Sequence, residues 1–428
     1  MKICMFTNTY KPHVGGVARS VAFFAEDLRA RGNRVLVVAP EFPGTEDEQN
    51  ESVLRIPAIQ EFNGSDFSVR LPAPFKVDQK VEAFDPKIIH SHHPFLMGDT
   101  ALRVARGRNL PLVFTHHTLY EQYTHYVPLN SEAMERFVIR LATDYANFCT
   151  RVVAPSESIA DLIRERGVHR PVDVVPTGVD LTFFSKGDGD SFRRKHRIPP
   201  EAQLIGHLGR LAPEKNLDYL ARAVAAFGAD RPESRFLVVG EGPSRAEIRH
   251  RFRERQIEDR LVLAGELSGQ ALADAYQAMD LFVFASQSET QGMVLAEAMA
   301  AGKPVVALNA SGSREVVSDR VNGRLLPADA DEEAFAAAIA EFFDAPERAA
   351  KWIEAAGKTA REFSRKNCAR KLMDVYQNAV EEHDRSALTD SAALPLYDEL
   401  LEKIRCEWDL ISKKMSAAAD AVRIDEAE

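Results

Sequence analysis

Short apolar runs alternate with stretches of helical periodicity along most of the chain. KICMF (2–6) and RVLVVAP (34–40) read as strands buried on both faces. Between them GGVARSVAFFAEDLRARG (15–32) spaces its apolar residues three and four apart and closes at Gly32, which predicts a helix. Strand, loop, helix and strand in that order form the seed of a parallel sheet. KIIHSHH (87–93), PLVFTHH (111–117) and RVVAPS (151–156) continue the series. The pattern then restarts with LIGHLGRL (204–211), RFLVVGEG (235–242), RLVLAGE (260–266), DLFVFASQ (280–287) and KPVVALN (303–309), again with helical stretches between. From Glu332 onward the periodicity is helical.

Two such series predict an α/β chain with two Rossmann-like, doubly wound domains facing across a cleft at the carboxyl ends of their strands, followed by an appended C-terminal helical segment. The join falls near TGVDLTFFSKGDGDSFRRKHRIPP (177–200), a stretch rich in Gly, Asp and Pro. The expected division is 1–180 for the first domain and 198–360 for the second. A C-terminal helix at 361–385 is expected to return to the first domain, and 386–428 to form a helical extension. Leu400, Ile404, Trp408, Ile411 and Met415 keep helical spacing there, which suits either docking on the chain itself or contact with a partner or membrane.

Length agrees with two domains, because 428 residues exceed what one core usually holds. The 45% hydrophobic and 28% charged residues are those of an ordinary globular protein. A formal net charge of -10 argues against nucleic acid as a partner. No apolar run reaches the ~18–20 residues of a membrane span, and MKICMFTNTY lacks the apolar region and cleavage site of a secretory leader. Cys4, Cys149, Cys368 and Cys406 are far apart and include no CxxC pair, so neither a disulfide framework nor a structural zinc is expected and a cytoplasmic home is.

Four groups of residues carry candidate chemistry. HVGGVARS (13–20) follows a strand and opens a helix, so its glycines form either a structural turn or a backbone contact to an anion at the positive helix end. GRLAPEKN (209–216) sets Arg210 and Lys215 just beyond a strand, where two cations can neutralise a diphosphate leaving group or simply be solvated. The segment DLFVFASQSETQGMVLAEAMAAGKPVVA (280–307) carries Glu289 at a strand end and Glu297 eight positions on. Between them Gln291, Gly292, Met293 and Val294 begin a helix and offer N–H groups to an anion. Glu289 can accept from sugar hydroxyls and Glu297 from ribose hydroxyls, although a carboxylate pair also suits acid–base hydrolysis and two solvated glutamates remain the plain reading. Finally, histidines end two strands of the first series. His116 and His117 in PLVFTHHTLYEQYTHY (111–126) have no further ligands at metal spacing. His90, His92 and His93 in KIIHSHHPFLMG (87–98) suit either an acceptor contact or strand-end packing.

In their order and spacing these pieces resemble a family 4 retaining glycosyltransferase of GT-B architecture over about residues 1–380. The resemblance rests on HVGGVARS, TGVD (177–180), GRLAPEKN, VVGEGP (238–243), the Glu289–Glu297 motif with its AEAMAAGKPVVA continuation, SGSREVV (311–317) and NGRLL (322–326). It implies that Gly16 contacts the donor phosphate and that Arg210 and Lys215 bind the diphosphate. It also implies that Glu289 holds the transferred sugar, aided by the backbone of Gln291, Gly292 and Met293, and that Glu297 holds the ribose. His117 would line the donor sugar, with His93, His116 and Tyr120 on the acceptor side. The catalytic set is then His117, Arg210, Lys215 and Glu289, with no metal, no cofactor and no protein nucleophile. The acceptor hydroxyl would attack from the leaving-group face and pass its proton to a donor phosphate oxygen.

THHTLYEQYTHYVPL (115–129) with SETQGM is similar to the lipid-directed branch, such as diacylglycerol glucosyltransferases. That likeness implies UDP-glucose as donor, a diacylglycerol-type lipid as acceptor, and a peripheral position on the inner face of the cell membrane. GDP-mannose and a soluble carbohydrate acceptor stand as alternatives. SEAMERFVIRLATDYANFCTR (131–151) sets Met134, Phe137, Leu141, Tyr145 and Phe148 on one helical face, which suits a core helix or a bilayer contact. A nicotinamide-dependent oxidoreductase would need a GxGxxG loop, and Gly240-Glu241-Gly242-Pro243 lacks the third glycine. A non-catalytic nucleotide-sugar sensor would be expected to have lost one of Arg210, Lys215, Glu289 or Glu297, and all four are present.

Overall fold

Runs such as VLVVA and LFVF have no polar face to give to water, so their strands must be covered on both sides. A computed structural model describes residues 1–13, 15–42, 45, 51–59, 69–70, 74–121, 132–389, 407, 409–410 and 412–414. The chain divides into two compact units, Met1–Thr177 with Cys368–Glu428, and Gly178–Asn367.

The first unit contains β1 (Lys2–Phe6), β2 (Arg34–Pro40), β3 (Val53–Ile56), β4 (Ala58–Ile59), β5 (Val69–Arg70), β6 (Ile88–Ser91), β7 (Leu112–Thr115), β8 (Arg151–Ala154) and β9 (Val172–Val174). Seven of these form one sheet in the order β3-β2-β1-β6-β7-β8-β9, with every pairing parallel. β4 and β5 make a separate antiparallel pair. Helix Gly16–Ala30 buries Ala18, Val21, Ala22, Ala25 and Leu28, the spacing of one helical face. Val21, Ala22, Ala25 and Leu28 join Ile3, Met5, Val35 and Val37 in one core. Helix Arg365–Thr389 covers the same core with Cys368, Leu372, Val375, Tyr376 and Ala379.

The second unit holds β10 (Gln203–Leu208), β11 (Ser234–Val239), β12 (Leu261–Gly265), β13 (Leu281–Phe284), β14 (Val305–Leu308) and β15 (Gly323–Leu326). They form a parallel six-stranded sheet ordered β12-β11-β10-β13-β14-β15. In each sheet the order reverses beside one strand: β1 lies between β2 and β6, and β10 between β11 and β13. Such reversals open a crevice at the carboxyl ends of the flanking strands, because the two connections leave in opposite directions.

β3, β9 and β15 are absent from the sequence reading. VDV and GRLL are short and interrupted by polar residues, and only pairing with a neighbour makes them strands. Several expected strands end early. The sheet releases the chain at Ser91 and Thr115, so His92, His93, His116 and His117 belong to the loops beyond.

Among the described residues of the C-terminal extension, 407, 409–410 and 412–414 are helical. Leu410 is buried in the core beside Met97, Tyr145 and Cys149. Asp409 accepts from Arg106 at 2.9 Å, Lys414 reaches Asp99 at 2.7 Å, and Glu407 pairs with Arg103. Leu400, Ile404, Trp408, Ile411 and Met415 lie outside the described residues. Of the helix expected over 131–151, Glu132–Phe148 is described; Tyr145 is buried, and Met134, Phe137, Leu141 and Phe148 are half-buried. Among the described residues no helix is long and apolar enough to cross a membrane, and Cys4, Cys149 and Cys368 are free and buried.

Candidate active site

In the second unit, two loops meet at the strand-order reversal. One leaves β10 through Gly209 and carries Arg210 and Lys215; the other leaves β13 and carries Glu289. Pro213–Lys215 forms one tight 3-10 turn with Pro at its start, and Asn216 follows in the left-handed region at φ 54°. The Asn216 side-chain amide donates to the Ala285 carbonyl, tying the first loop to the second. The turn aims Lys215 at Glu289, and Nζ lies 2.6 Å from Oε1 with both side chains mostly buried. Arg210 pairs with Glu214 at 2.5 Å and stays about half exposed.

Glycines let a third loop support this pair. Gly240 has φ +135°, and a Cβ there would stand 1.9 Å from the Gly209 carbonyl oxygen. Gly209 donates to Val239 and Leu211 to Glu241, at 3.1 and 2.8 Å, so the loops after β10 and β11 are zipped together. VVGEGP is thus a buttress for the Arg210–Lys215 loop, a task the dinucleotide comparison does not suggest.

Helix Met293–Ala300 starts after Gly292, which caps it at φ +69°. Glu297 is therefore little more than one turn into the helix. Gln291 and Gly292 precede the helix, while Met293 and Val294 form its first two positions. Glu297 is buried, 3% exposed, and its Oε2 accepts from the Tyr276 hydroxyl at 2.9 Å. Tyr276 comes from the helix preceding β13 and carries no motif of its own, so sequence reading passes over it. His207, on β10, is buried as well; its Nδ1 faces the Val283 carbonyl at 3.1 Å, and burial pushes its pKa down to about 4.

In the first unit the residues gather at the carboxyl ends of β1, β6 and β7. Gly16 is the first residue of its helix, and the space beside it is open. Asn8, another residue without a motif, holds the loop after β6. Its backbone N–H donates to His93 Nδ1 at 3.1 Å, its side-chain oxygen accepts from Met97 N–H at 3.0 Å, and its amide donates to Phe95. His93 Nδ1 is thus taken up by the Asn8 backbone. His90 is fully buried between Tyr376 Oη at 2.6 Å and Thr115 Oγ1 at 2.7 Å. His92 Nδ1 and His117 Nε2 are 2.9 Å apart, with the rings stacked. His116 is buried, and Tyr120 packs edge-on against it and against Phe95.

Burial dominates the electrostatics of this layer. It pushes His90 and His93 down to about 3 and His116 to about 4, and it holds His92 and His117 well below the ordinary imidazole range. Five imidazoles, His90 on β6 and four in the loops beyond β6 and β7, are neutral at physiological pH. They can donate or accept hydrogen bonds and carry no charge. Among the described residues no group of His, Cys, Asp or Glu is arranged to hold a metal ion.

Comparison with known proteins adds a family likeness to this geometry. The family described as Glycosyltransferase Family 4 matches residues 14–183, and Glycosyl transferases group 1 matches residues 188–359. An alpha-monoglucosyldiacylglycerol synthase from Streptococcus pneumoniae is 28% identical over 330 residues, covering 76% of this chain and 75% of the relative. A GDP-mannose-dependent alpha-mannosyltransferase from Mycobacterium tuberculosis is 30% identical over 337 residues, covering 76% of this chain and 84% of the relative. Among solved structures, Anabaena HepE in complex with UDP aligns with a TM-score of 0.70 at 23% identity, over 88% of this chain and 100% of that protein. That likeness extends to the fold, and the chain shares the GT-B architecture.

Proposed function

The chain belongs to glycosyltransferase family 4, and from that premise we propose that it moves glucose from UDP-glucose to a hydroxyl of a diacylglycerol-type lipid, with retention at the anomeric carbon. The enzyme class follows from the family; the sugar, the nucleotide and the acceptor are our assignment.

One observation carries the reading: Lys215 and Glu289 meet at 2.6 Å where the loops after β10 and β13 converge, with Arg210 on the same loop as Lys215. A cation and a carboxylate in contact suit a sugar diphosphate. The ammonium answers the phosphate, and the carboxylate accepts from the sugar hydroxyls next to it. As the glycosidic bond breaks, negative charge grows on the leaving diphosphate, and fixed cations stabilise that charge more than they stabilise the bound donor. Arg210 offers a planar fork to phosphate oxygens and Lys215 a compact charge. The two cations do this without a divalent metal.

In this reading Glu297 accepts from the ribose hydroxyls, and the N–H groups of Gln291 to Val294 face phosphate or sugar oxygen. Gly16 lets a phosphate approach the start of its helix. His117 donates to the donor sugar, while His93, His116 and Tyr120 belong to the acceptor side. The acceptor hydroxyl attacks the anomeric carbon on the face the diphosphate leaves, its proton goes to a departing phosphate oxygen, and no side chain forms a covalent intermediate. A lipid acceptor puts the reaction at the inner surface of the cell membrane. The likeness to a monoglucosyldiacylglycerol synthase supports the glucose and lipid assignment. The comparable identity to a GDP-mannose-dependent enzyme supports a second donor, GDP-mannose.

The test is a donor screen with the purified full chain and radiolabelled UDP- and GDP-sugars in EDTA, with and without diacylglycerol vesicles. We expect slow UDP-glucose hydrolysis without acceptor, and label in the lipid extract when vesicles are present. Consumption of GDP-mannose alone would change the donor. Label that never enters the lipid extract would remove the lipid acceptor, and activity lost in EDTA but restored by magnesium would overturn metal independence.

Tyr276→Phe gives a sharper local check. It removes the hydroxyl that donates to Glu297 and should weaken UDP binding about tenfold in calorimetry, since a hydrogen bond to a charged group is worth ~1.5–3 kcal/mol. Unchanged affinity would detach Tyr276 and Glu297 from the nucleotide.

A further inference from the structure

We propose that His92 is a positioning residue that locks His117 into the tautomer carrying its proton on Nδ1, so that His117 meets its ligand as a hydrogen-bond donor. The functional meaning rests on the reading of His117 as a sugar-facing residue; the tautomer itself does not.

His92 and His117 share one hydrogen bond, between Nδ1 of the first and Nε2 of the second at 2.9 Å. Extensions of the sheet ladder fix the backbone at His92 and at the residue before His117. His92 N–H donates to Phe6 at 2.9 Å, and His116, next to His117, donates to Val153 at 2.9 Å. His92 is fully buried, and its Nε2 has no partner among the described residues. The His90 ring lies against it at 4.1 Å between centroids, and both nitrogens of His90 are engaged elsewhere, with Tyr376 and Thr115.

A neutral imidazole has one N–H and one bare nitrogen, so the pair has two arrangements. If His117 donates from Nε2, the His92 proton must sit on Nε2, a buried N–H with nothing to accept it. If His92 donates from Nδ1, only a lone pair is left buried. Orphaned buried N–H groups are rarer than under-used acceptors, so the second arrangement wins. Burial keeps both rings neutral, which excludes a shared extra proton.

His117 then has one remaining polar group, Nδ1–H. It can donate to a hydroxyl or phosphate oxygen, and it has no lone pair with which to take a proton from an attacking alcohol. His92 thus decides what chemistry the outer histidine can perform without touching the substrate itself. This is the logic by which a hydrogen-bonded neighbour selects the tautomer of a metal-bound histidine.

The test reads the tautomer directly. Two-bond proton–nitrogen NMR correlations of the ¹⁵N-histidine-labelled full chain at neutral pH separate protonated Nδ1 from protonated Nε2, and the loss of signals in His117→Gln assigns the ring. Protonated Nδ1 on His117 is expected; protonated Nε2 overturns the proposal even if no His92 variant folds. In addition, His92→Asn keeps a donor near the Nδ1 position, whereas His92→Leu removes it. Leu is expected to lower kcat/KM about tenfold to a hundredfold, as loss of such outer partners does, and Asn to restore most of it. Equal losses at unchanged melting temperature would reduce His92 to packing and overturn the proposal. If the tautomer is as expected but His117→Ala transfers sugar normally, the positioning stands and the sugar-facing role of His117 falls.

Discussion

Lys215→Ala is expected to lower kcat by about two to three orders of magnitude while the chain remains folded, the cost typical of losing one preorganised group that stabilises developing negative charge. Lys215 is mostly buried and pairs with Glu289, so its position is fixed before the donor arrives and no side-chain ordering is needed as the bond breaks. The loss should appear mainly in kcat, because charge on the diphosphate grows toward the transition state. Arg210→Ala should act in the same direction with a smaller effect, since its guanidinium is about half exposed and already shared with Glu214. Steady-state kinetics together with circular dichroism and UDP calorimetry separate the outcomes. A folded Lys215→Ala protein with normal turnover would remove the leaving-group role, and with it the proposed site.

Acid should unfold the first unit well above the pH at which carboxylates protonate. His90 and His93 are held near 3 and His116 near 4 by burial, whereas an imidazole in the unfolded chain titrates at about 6.5. Between those values the unfolded chain binds more protons than the folded one, so stability rises with pH and is lost as pH falls below about 6.5. From pH 6.5 to 5 each fully buried imidazole costs about 2 kcal/mol, and most carboxylates are still ionised over that window. Melting curves from pH 7.5 to 5 should show a steep decline in the first unit's transition. Replacing His90 by Gln should flatten the slope even if it lowers stability at pH 7.5. A melting temperature constant from pH 7 to 5 would show that these rings exchange protons freely with solvent.

The two sheets were readable because strands covered on both faces must be apolar throughout, and few other elements in a chain of this composition are. RVLVVAP and LFVF could hardly be anything else. VDV and GRLL were not readable, because their strand character comes from the neighbour they pair with. The same division holds among the candidate site residues. Arg210, Lys215, Glu289 and Glu297 stand in motifs, and their spacing along the chain suggests chemistry. Tyr276, Asn8 and Tyr376 stand in none. Their partners are Glu297, His93 and His90, which are far off in sequence, and a hydrogen bond across such a separation leaves no periodic trace.

By itself the sequence determined an α/β chain of two parallel-sheet units, a glycosyltransferase motif set and the loops that carry it, because hydrophobic periodicity and short motifs are local properties. Tertiary structure decided the strand order, with its reversals beside β1 and β10, the contact of Lys215 with Glu289, the late start of the Glu297 helix and the neutral layer of histidines. Those depend on which segments come together. Packing selects them by burying apolar surface while leaving few polar hydrogens without an acceptor.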